Sequence, residues 1–191
     1  MKVLIACEES QVVCKAFRAR GHEAYSCDVI DCSGGHPEWH IKDDVLNHLN
    51  DGWDLTIAHD PCTYQCNSGV RWLHERKGRW ELLRQSCEFT LKLFNAPIPK
   101  IARENPIPHK YALELLGGLN YTQLIHPHYF GDKETKATCL WLFNLPKLVR
   151  THFITNGIRQ SIWRCPPSDD RIKIRSKTFQ GIANAMAEQW G

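Results

Sequence analysis

Residues 54–62 read DLTIAHDPC, and residues 100–106 read KIARENP. Each begins as a short, largely apolar run and ends in polar residues around a proline. Short apolar runs bounded by turn-forming residues mark strands buried inside a parallel sheet. The same pattern recurs outward along the chain. Residues 2–6 (KVLIA) and 24–28 (AYSCD) read as strands, and residues 10–20 (SQVVCKAFRAR) as the helix between them. Val12, Val13, Ala16 and Phe17 give that helix its apolar spacing, Ser10 its N-cap and Gly21 its stop. Residues 29–39, with Gly34, Gly35 and Pro37, read as loop. Residues 45–49 predict a short helix. A long helix follows over 78–95, with Trp80, Leu83, Cys87 and Leu91 at helical spacing. Residues 140–143 (LWLF) predict another strand and 178–190 a closing helix. This alternation predicts an α/β fold: one open, mostly parallel sheet with helices on both faces, formed by residues 1–191 as one domain. Ligands of such sheets sit at the carboxyl ends of the strands, and the polar clusters of this chain fall there.

The bulk properties narrow the setting. The chain has 191 residues, 42% of them hydrophobic, which suffices for one core. No apolar run reaches the ~20 residues of a membrane span. The start, MKVLIACEES, turns acidic too soon for a secretory signal. A cytoplasmic protein is expected, in the host cytoplasm if a phage encodes it, with its nine cysteines reduced. Cys62 and Cys66, and Cys27 and Cys32, lack the second tight Cys/His couple of a structural zinc site, so no metal is expected. His126 and His128, flanking Pro127, read as loop residues. The net charge of +3 permits a nucleic-acid partner without requiring one. Arg71, Arg76, Lys77, Arg79 and Arg84 crowd one stretch, and Arg171, Lys173, Arg175 and Lys177 another. Each stretch can be a solvated face or a phosphate contact.

The strand ends carry the chemistry. The first runs into Ala6-Cys7-Glu8-Glu9-Ser10 and the second into Asp28. An acid at the end of a second strand commonly accepts hydrogen bonds from ribose hydroxyls, or is a solvated turn residue. Asp43, Asp44 and Val45 fall beside the same position. His59-Asp60-Pro61-Cys62 presents a cysteine stiffly, because proline fixes its own φ. Such a cysteine is a thiolate nucleophile or a small buried hydrophobe. Glu104, at the neighbouring strand end, supplies a carboxyl group beside it.

HDPC followed by PKIARENP is similar to the paired proline-cysteine and Glu-Asn-Val motifs of DNA cytosine-5 methyltransferases, and the chain most resembles short, divergent, phage-borne members. Ala6, Cys7, Glu8 and Ser10 stand in the place of that family's first cofactor loop. Asp28, followed by Val29, stands for its ribose-binding acid, Asp44 with Val45 for its adenine-side aspartate, and His59 and Asp60 border the same pocket. Residues 129–143 (YFGDKETKATCLWLF) resemble the segment containing Gln-x-Arg-x-Arg, with Lys136 and Thr138 at its basic positions. Gly181 and Ala183, in QGIANAM, stand where the last motif closes the cofactor site. The resemblance implies a Rossmann-like S-adenosylmethionine-dependent methyltransferase fold with a target-recognition domain absent or minimal. It implies a covalent Cys62–C6 adduct on a cytosine of DNA, flipped out of the stack, and transfer of a methyl or related one-carbon-derived group to C5. Glu104 would serve N3, with its pKa raised by burial. Asn105 would hold loop geometry, and Lys136 would act beside them. Pro61, Asn67, Ser68, Gly69, Arg71 and Pro106 would surround the base. Lys173 and Arg175, alternating with Ile172 and Ile174 as on one strand face, would touch phosphate with Thr138.

Four departures from the family pattern stand out. The first loop has no glycine, and its Glu8 and Glu9 suit a donor carboxylate poorly unless they face its amine. Asp60 replaces a proline, and a carboxylate there raises a thiol pKa unless a cation pairs with it. Lys136 replaces a forked arginine with a point charge, or is a strand-edge charge. Only Lys147–Lys177 is available for reading a target sequence, which predicts low specificity carried by backbone contacts. These departures admit three alternatives: a modified sulfonium donor with the same C5 chemistry, an N4-amino methyltransferase (DPCT resembling Asp-Pro-Pro-aromatic), or a non-catalytic DNA-binding relative.

Overall fold

A computed structural model describes residues 1–162, 164–168 and 171–191. Seven strands form one sheet: β1 (Lys2–Ala6), β2 (Glu23–Asp28), β3 (His40–Lys42), β4 (Leu55–Ala58), β5 (Lys100–Asn105), β6 (Gln123–Ile125) and β7 (Thr138–Phe143). Their spatial order is β3-β2-β1-β4-β5-β7-β6. All pairs are parallel except those of β7, which runs antiparallel between β5 and β6. Outward from β1 the chain first winds to β2 and β3, then crosses to β4 and β5. The reversal of strand order therefore falls between β1 and β4, and the crevice of a doubly wound sheet opens at the carboxyl ends there.

Among the described residues, α-helices accompany the sheet as α1 (Val12–Arg18), α2 (Trp72–Glu75), α3 (Arg79–Phe94), α4 (Lys110–Leu115), α5 (Arg171–Ser176) and α6 (Gln180–Trp190). Side chains alternate across a strand with period two, so β1 feeds two cores. Val3 and Ile5 face α1 and α6 through Val13, Phe17, Ala183 and Met186. Leu4 and Ala6 face the other side, with Leu93 of α3, Ile101 and Val45. Phe17 and Val13 are fully buried, and each contributes about 1.5–3 kcal/mol of transfer free energy. Gly181 lets α6 dock: a Cβ there would run into the Phe130 carbonyl oxygen.

The structure corrects several expectations. Ser10 does not cap α1. Gln11 occupies the N-cap in the left-handed region, with φ 58°, and offers no side-chain cap. The helix is capped instead by Glu8, whose carboxylate accepts from the Val13 and Cys14 amides at 2.7 and 3.1 Å. β5 does not stop at its apolar part but continues through Glu104 and Asn105, both of which pair with β7. The expected strand face at Lys173 and Arg175 is helix α5. Of the segment 147–177, Trp163, Asp169 and Asp170 lie outside the described residues, as does the Ile172 side chain. Among the described residues no helix is long and apolar enough to cross a membrane.

Candidate active site

The loop after β4 is held from three sides before it presents Cys62. Asp60 is 2% exposed and receives a two-pronged bond from Arg103: Nε to Oδ1 at 2.6 Å and Nη2 to Oδ2 at 2.9 Å. Thr90 of α3 donates to Asp60 Oδ2 at 2.7 Å. Asn105 Nδ2 donates to the Asp60 carbonyl at 2.9 Å and to Oδ1 at 3.1 Å. Arg103 also donates to Gln65 at 2.8 Å and lies over the Trp141 ring, 4.4 Å from its centroid. Planar, two-pronged pairing of this kind fixes direction as well as distance. Cys62 then opens a turn closed by bonds from the Gln65 and Cys66 amides to its carbonyl, both 3.0 Å. Farther on, the Asn67 amide donates to the Ile107 carbonyl and His109 Nε2 sits 2.9 Å from the Tyr64 carbonyl.

A cavity of about 970 Å³ opens beside Cys62. Cys66, Asn67, Ser68, Gly69, Pro106 and Lys136 line it with Cys62. Trp72, Ile107 and Ile162 add apolar wall, and Arg171 and Arg175, one turn apart on α5, add positive charge. A space of this size and mixed lining admits a nucleotide-sized ligand.

The titratable groups around it are strongly coupled. The thiol of Cys66 is brought down to about 5, first by a hydrogen bond from Cys62 and then, against burial, by Ser68 and the Ser68 and Gly69 amides. Cys62 moves the opposite way, through that same bond, burial, and the charges on Cys66 and Glu104. Each thiol thus acts on the other, Cys66 lowered and Cys62 raised. Glu104, 7% exposed at the end of β5, faces His59: Nδ1 donates to Oε2 at 3.0 Å. Burial pushes the Glu104 carboxyl up, but Lys136, the bond and charge of His59, and Arg103 outweigh it and leave it below its usual value. That corrects the expectation of a raised Glu104.

The expected site residues separate into those that gather and those used elsewhere. Cys62, Lys136, Asn67, Ser68, Gly69, Pro106 and Arg175 share the cavity, with Glu104 behind Pro106 and close enough for its charge to act on Cys62. Pro61 is exposed and outside the lining. Arg71 is exposed and stacks on Trp72, 4.2 Å from the ring centroid, rather than lining the cavity. Lys173 is exposed on α5 outside the lining. Thr138 is 1% exposed and offers no surface to DNA. Its hydroxyl donates to the Lys136 carbonyl. Asp60 is consumed by Arg103, so its carboxylate is not free to meet a donor or an exocyclic amine. Arg103, Thr90, Gln65 and Cys66 are the parts that sequence reading missed. Arg103 left a signal, a charge directly after the apolar pair Ile101-Ala102 in a strand that the sequence marks as buried.

On the cofactor side, Cys7 follows β1 in the left-handed region, with φ 59°, a conformation that glycine usually supplies. The glycine-free loop thus keeps a glycine-like backbone. Asp28 accepts from the Ile30 amide through Oδ1, and Asp44 from the Leu46 amide through Oδ1. The Oδ2 atom of each accepts no hydrogen bond among the described residues. Val29 beside Asp28 is 67% exposed. Two acids with free oxygens next to exposed apolar surface fit the ribose and adenine of an adenosyl group. Ala6, Val45 and Ala183 are buried in the cores, so only Ala6 and Val45 backbone remains near this face. Gly181 serves α6 packing, its amide donating to Asp132 at 2.8 Å. Glu8 caps α1, Ser10 sits 3.5 Å from Glu8, and His59 is turned to Glu104. These side chains are thus engaged within the protein.

Sheet order, the reversed strand β7 and the crevice define a doubly wound, Rossmann-like α/β architecture. No protein-family model and no curated protein matches the chain. Among solved structures it is similar to a crystal structure described as a candidate DNA modification methyltransferase encoded within a prophage of E. coli, with 13% identity and a TM-score of 0.47 over 74% of this chain and 46% of that one. This chain spans less than half the length of that protein. The fold rests on the strand order, independently of that likeness.

Proposed function

We propose that this protein is a DNA cytosine-C5 methyltransferase using an S-adenosylmethionine-type donor. The observation that carries the reading is the meeting of Cys62, Glu104 and Lys136 at adjacent strand ends, around a cavity that accepts a flipped base. The register supports this reading: Ala58 of β4 pairs with Arg103 of β5, so His59 and Glu104 come next along the two neighbouring chains.

The chain's own groups divide the work. Cys62 Sγ attacks C6 while its proton passes to Cys66, the lowered thiol of the two. C5 becomes an enamine carbon, able to attack an electrophile. Glu104 meets N3 of the cytosine, and Lys136 balances its charge. Asp28 and Asp44 hold the ribose and adenine, and the donor supplies, when bound, an electrophilic methyl carbon. Loss of the C5 proton to water and departure of Cys62, which recovers its proton from Cys66, complete the cycle. Arg171 and Arg175 serve phosphate, and no base-reading domain is needed for that contact.

Two of the motives for the alternative donor and N4 readings are taken up elsewhere, Glu8 as a helix cap and Asp60 by Arg103, while Glu9 and the DPCT resemblance still speak for them. Incubating protein, DNA and labelled S-adenosylmethionine tests the proposal, with nucleosides analysed by mass spectrometry. 5-Methyldeoxycytidine formed by wild type and absent with Cys62→Ala is expected. No labelled cytosine product, or equal product from both proteins, overturns it.

A further inference from the structure

C5 chemistry needs a proton at N3 while Cys62 is bonded to C6, yet Glu104 is held ionised by Lys136, His59 and Arg103. A carboxylate has no proton to give. His59 is the group behind it. Its Nδ1 lies 3.0 Å from Glu104 Oε2, and both side chains are 9% exposed. Among the described residues its buried Nε2 has no hydrogen-bond partner. Three charged groups face the ring: Glu104 from β5, Glu8 from the loop after β1, and Lys136 from the segment before β7. Burial opposes the charged ring, but the Glu104 bond and charge and the Glu8 charge exceed it and raise His59 above its ordinary value. Glu104 Oε1 accepts no hydrogen bond among the described residues.

We infer that His59 is a positioning residue that stores the N3 proton and delivers it through Glu104. The inference rests on the C5 reading above. As the Cys62–C6 bond forms, the His59 Nδ1–H bond breaks and its proton joins the Glu104 carboxylate. The resulting acid protonates N3, which takes up the electron pair displaced from the ring. His59 is then neutral and Glu104 again a carboxylate. When Cys62 leaves, the C6–S pair departs with sulfur, N3 releases its proton, and it returns by the same route. No external acid is consumed.

The variant His59→Asn keeps an N–H near the position of Nδ1 but cannot carry a second proton. Transfer to C5 is expected to fall about 100-fold, and the alkaline fall of the rate, set in wild type by loss of the His59 proton, is expected to disappear or move. In parallel, imidazole ¹⁵N shifts of the wild-type protein are expected to show His59 doubly protonated above pH ~6.5, the ordinary midpoint, and Glu104→Gln is expected to lower that titration. A His59 that titrates at or below its ordinary value overturns the inference even if His59→Asn fails to fold. So does a folded His59→Asn enzyme with the wild-type pH profile. Wild-type protein that delivers nothing to C5 removes the C5 reading and this inference together. Wild-type transfer with an unshifted His59→Asn profile removes this inference alone.

Discussion

Replacing Arg103 with methionine isolates the clamp that positions Cys62. Both Arg103 and Asp60 are nearly inaccessible, with side chains 2% and 1% exposed. The substitution keeps the apolar stem over Trp141 and removes two of the four side-chain bonds to the Asp60 carboxylate, leaving those of Thr90 and Asn105. Removing one partner of a buried pair leaves an uncompensated charge and costs about 3–5 kcal/mol. Against a total stability of about 5–15 kcal/mol, that is severe. With a urea slope of about 2 kcal/mol/M, the unfolding midpoint should fall by about 2 M. Adding Asp60→Asn removes the stranded charge and should return about 2 kcal/mol, a coupling that marks direct contact. Urea titrations of the four proteins, followed by far-UV circular dichroism at pH 7, give both numbers. A loss below 1 kcal/mol for Arg103→Met, or strictly additive effects, would refute the claim that this pair is buried and mutually dependent.

Three further outcomes follow from the site. Iodoacetamide at pH 6.5 should modify Cys66 faster than Cys62, as read by peptide mass mapping, because Cys66 is the lowered thiol of the two; faster labelling of Cys62 contradicts that assignment. Glu104→Gln should destabilise the protein most where Glu104 is ionised and His59 protonated. Glu104, lowered on folding, contributes stability that is lost as pH falls through its folded value, and His59, raised, contributes stability that is full below pH ~6.5 and lost as pH rises through its folded value. Denaturation across pH 4–9 should therefore show the Glu104→Gln deficit peaking on the acid side of neutrality, and a deficit growing steadily to pH 9 counts against the pair. Gly181→Ala drives a Cβ against the Phe130 carbonyl and should cost about 1–3 kcal/mol, measured as a lowered Tm; an unchanged Tm means α6 docks differently.

The sheet was largely legible in the sequence because β1, β2, β4 and β5 are compact apolar runs with polar ends. Their partners were less so. β6 has three residues, too few for a period to show. Residues 171–175 alternate basic and apolar side chains as a strand would, yet six residues make a helical turn and a half; at that length periods of 2 and 3.6 are hard to separate. In the site, Cys62 and Glu104 could be named because each ends a recognisable strand. The sign of the Glu104 shift could not, since it depends on His59 and Lys136, which the fold brings from distant positions. The fate of Asp60 was half legible: its need for a cation was plain, but the residue supplying it emerged only with the register of β4 on β5.

Cys7 and Gln11 return the view to the loop after β1. Both hold left-handed backbone while carrying side chains, a conformation that costs roughly 1–2 kcal/mol per residue. Gln11 is held there by bonds to His36 and Ser26, and the adjoining Glu8 amide by the Cys27 carbonyl. A glycine loop can adapt to what arrives; this one is finished beforehand. An incoming ligand meets a rigid mould, so little of its binding free energy is lost to ordering the loop, and poorly shaped ligands gain nothing from waiting for it to adjust. Selectivity among related donors would then reside in backbone shape that no glycine motif announces.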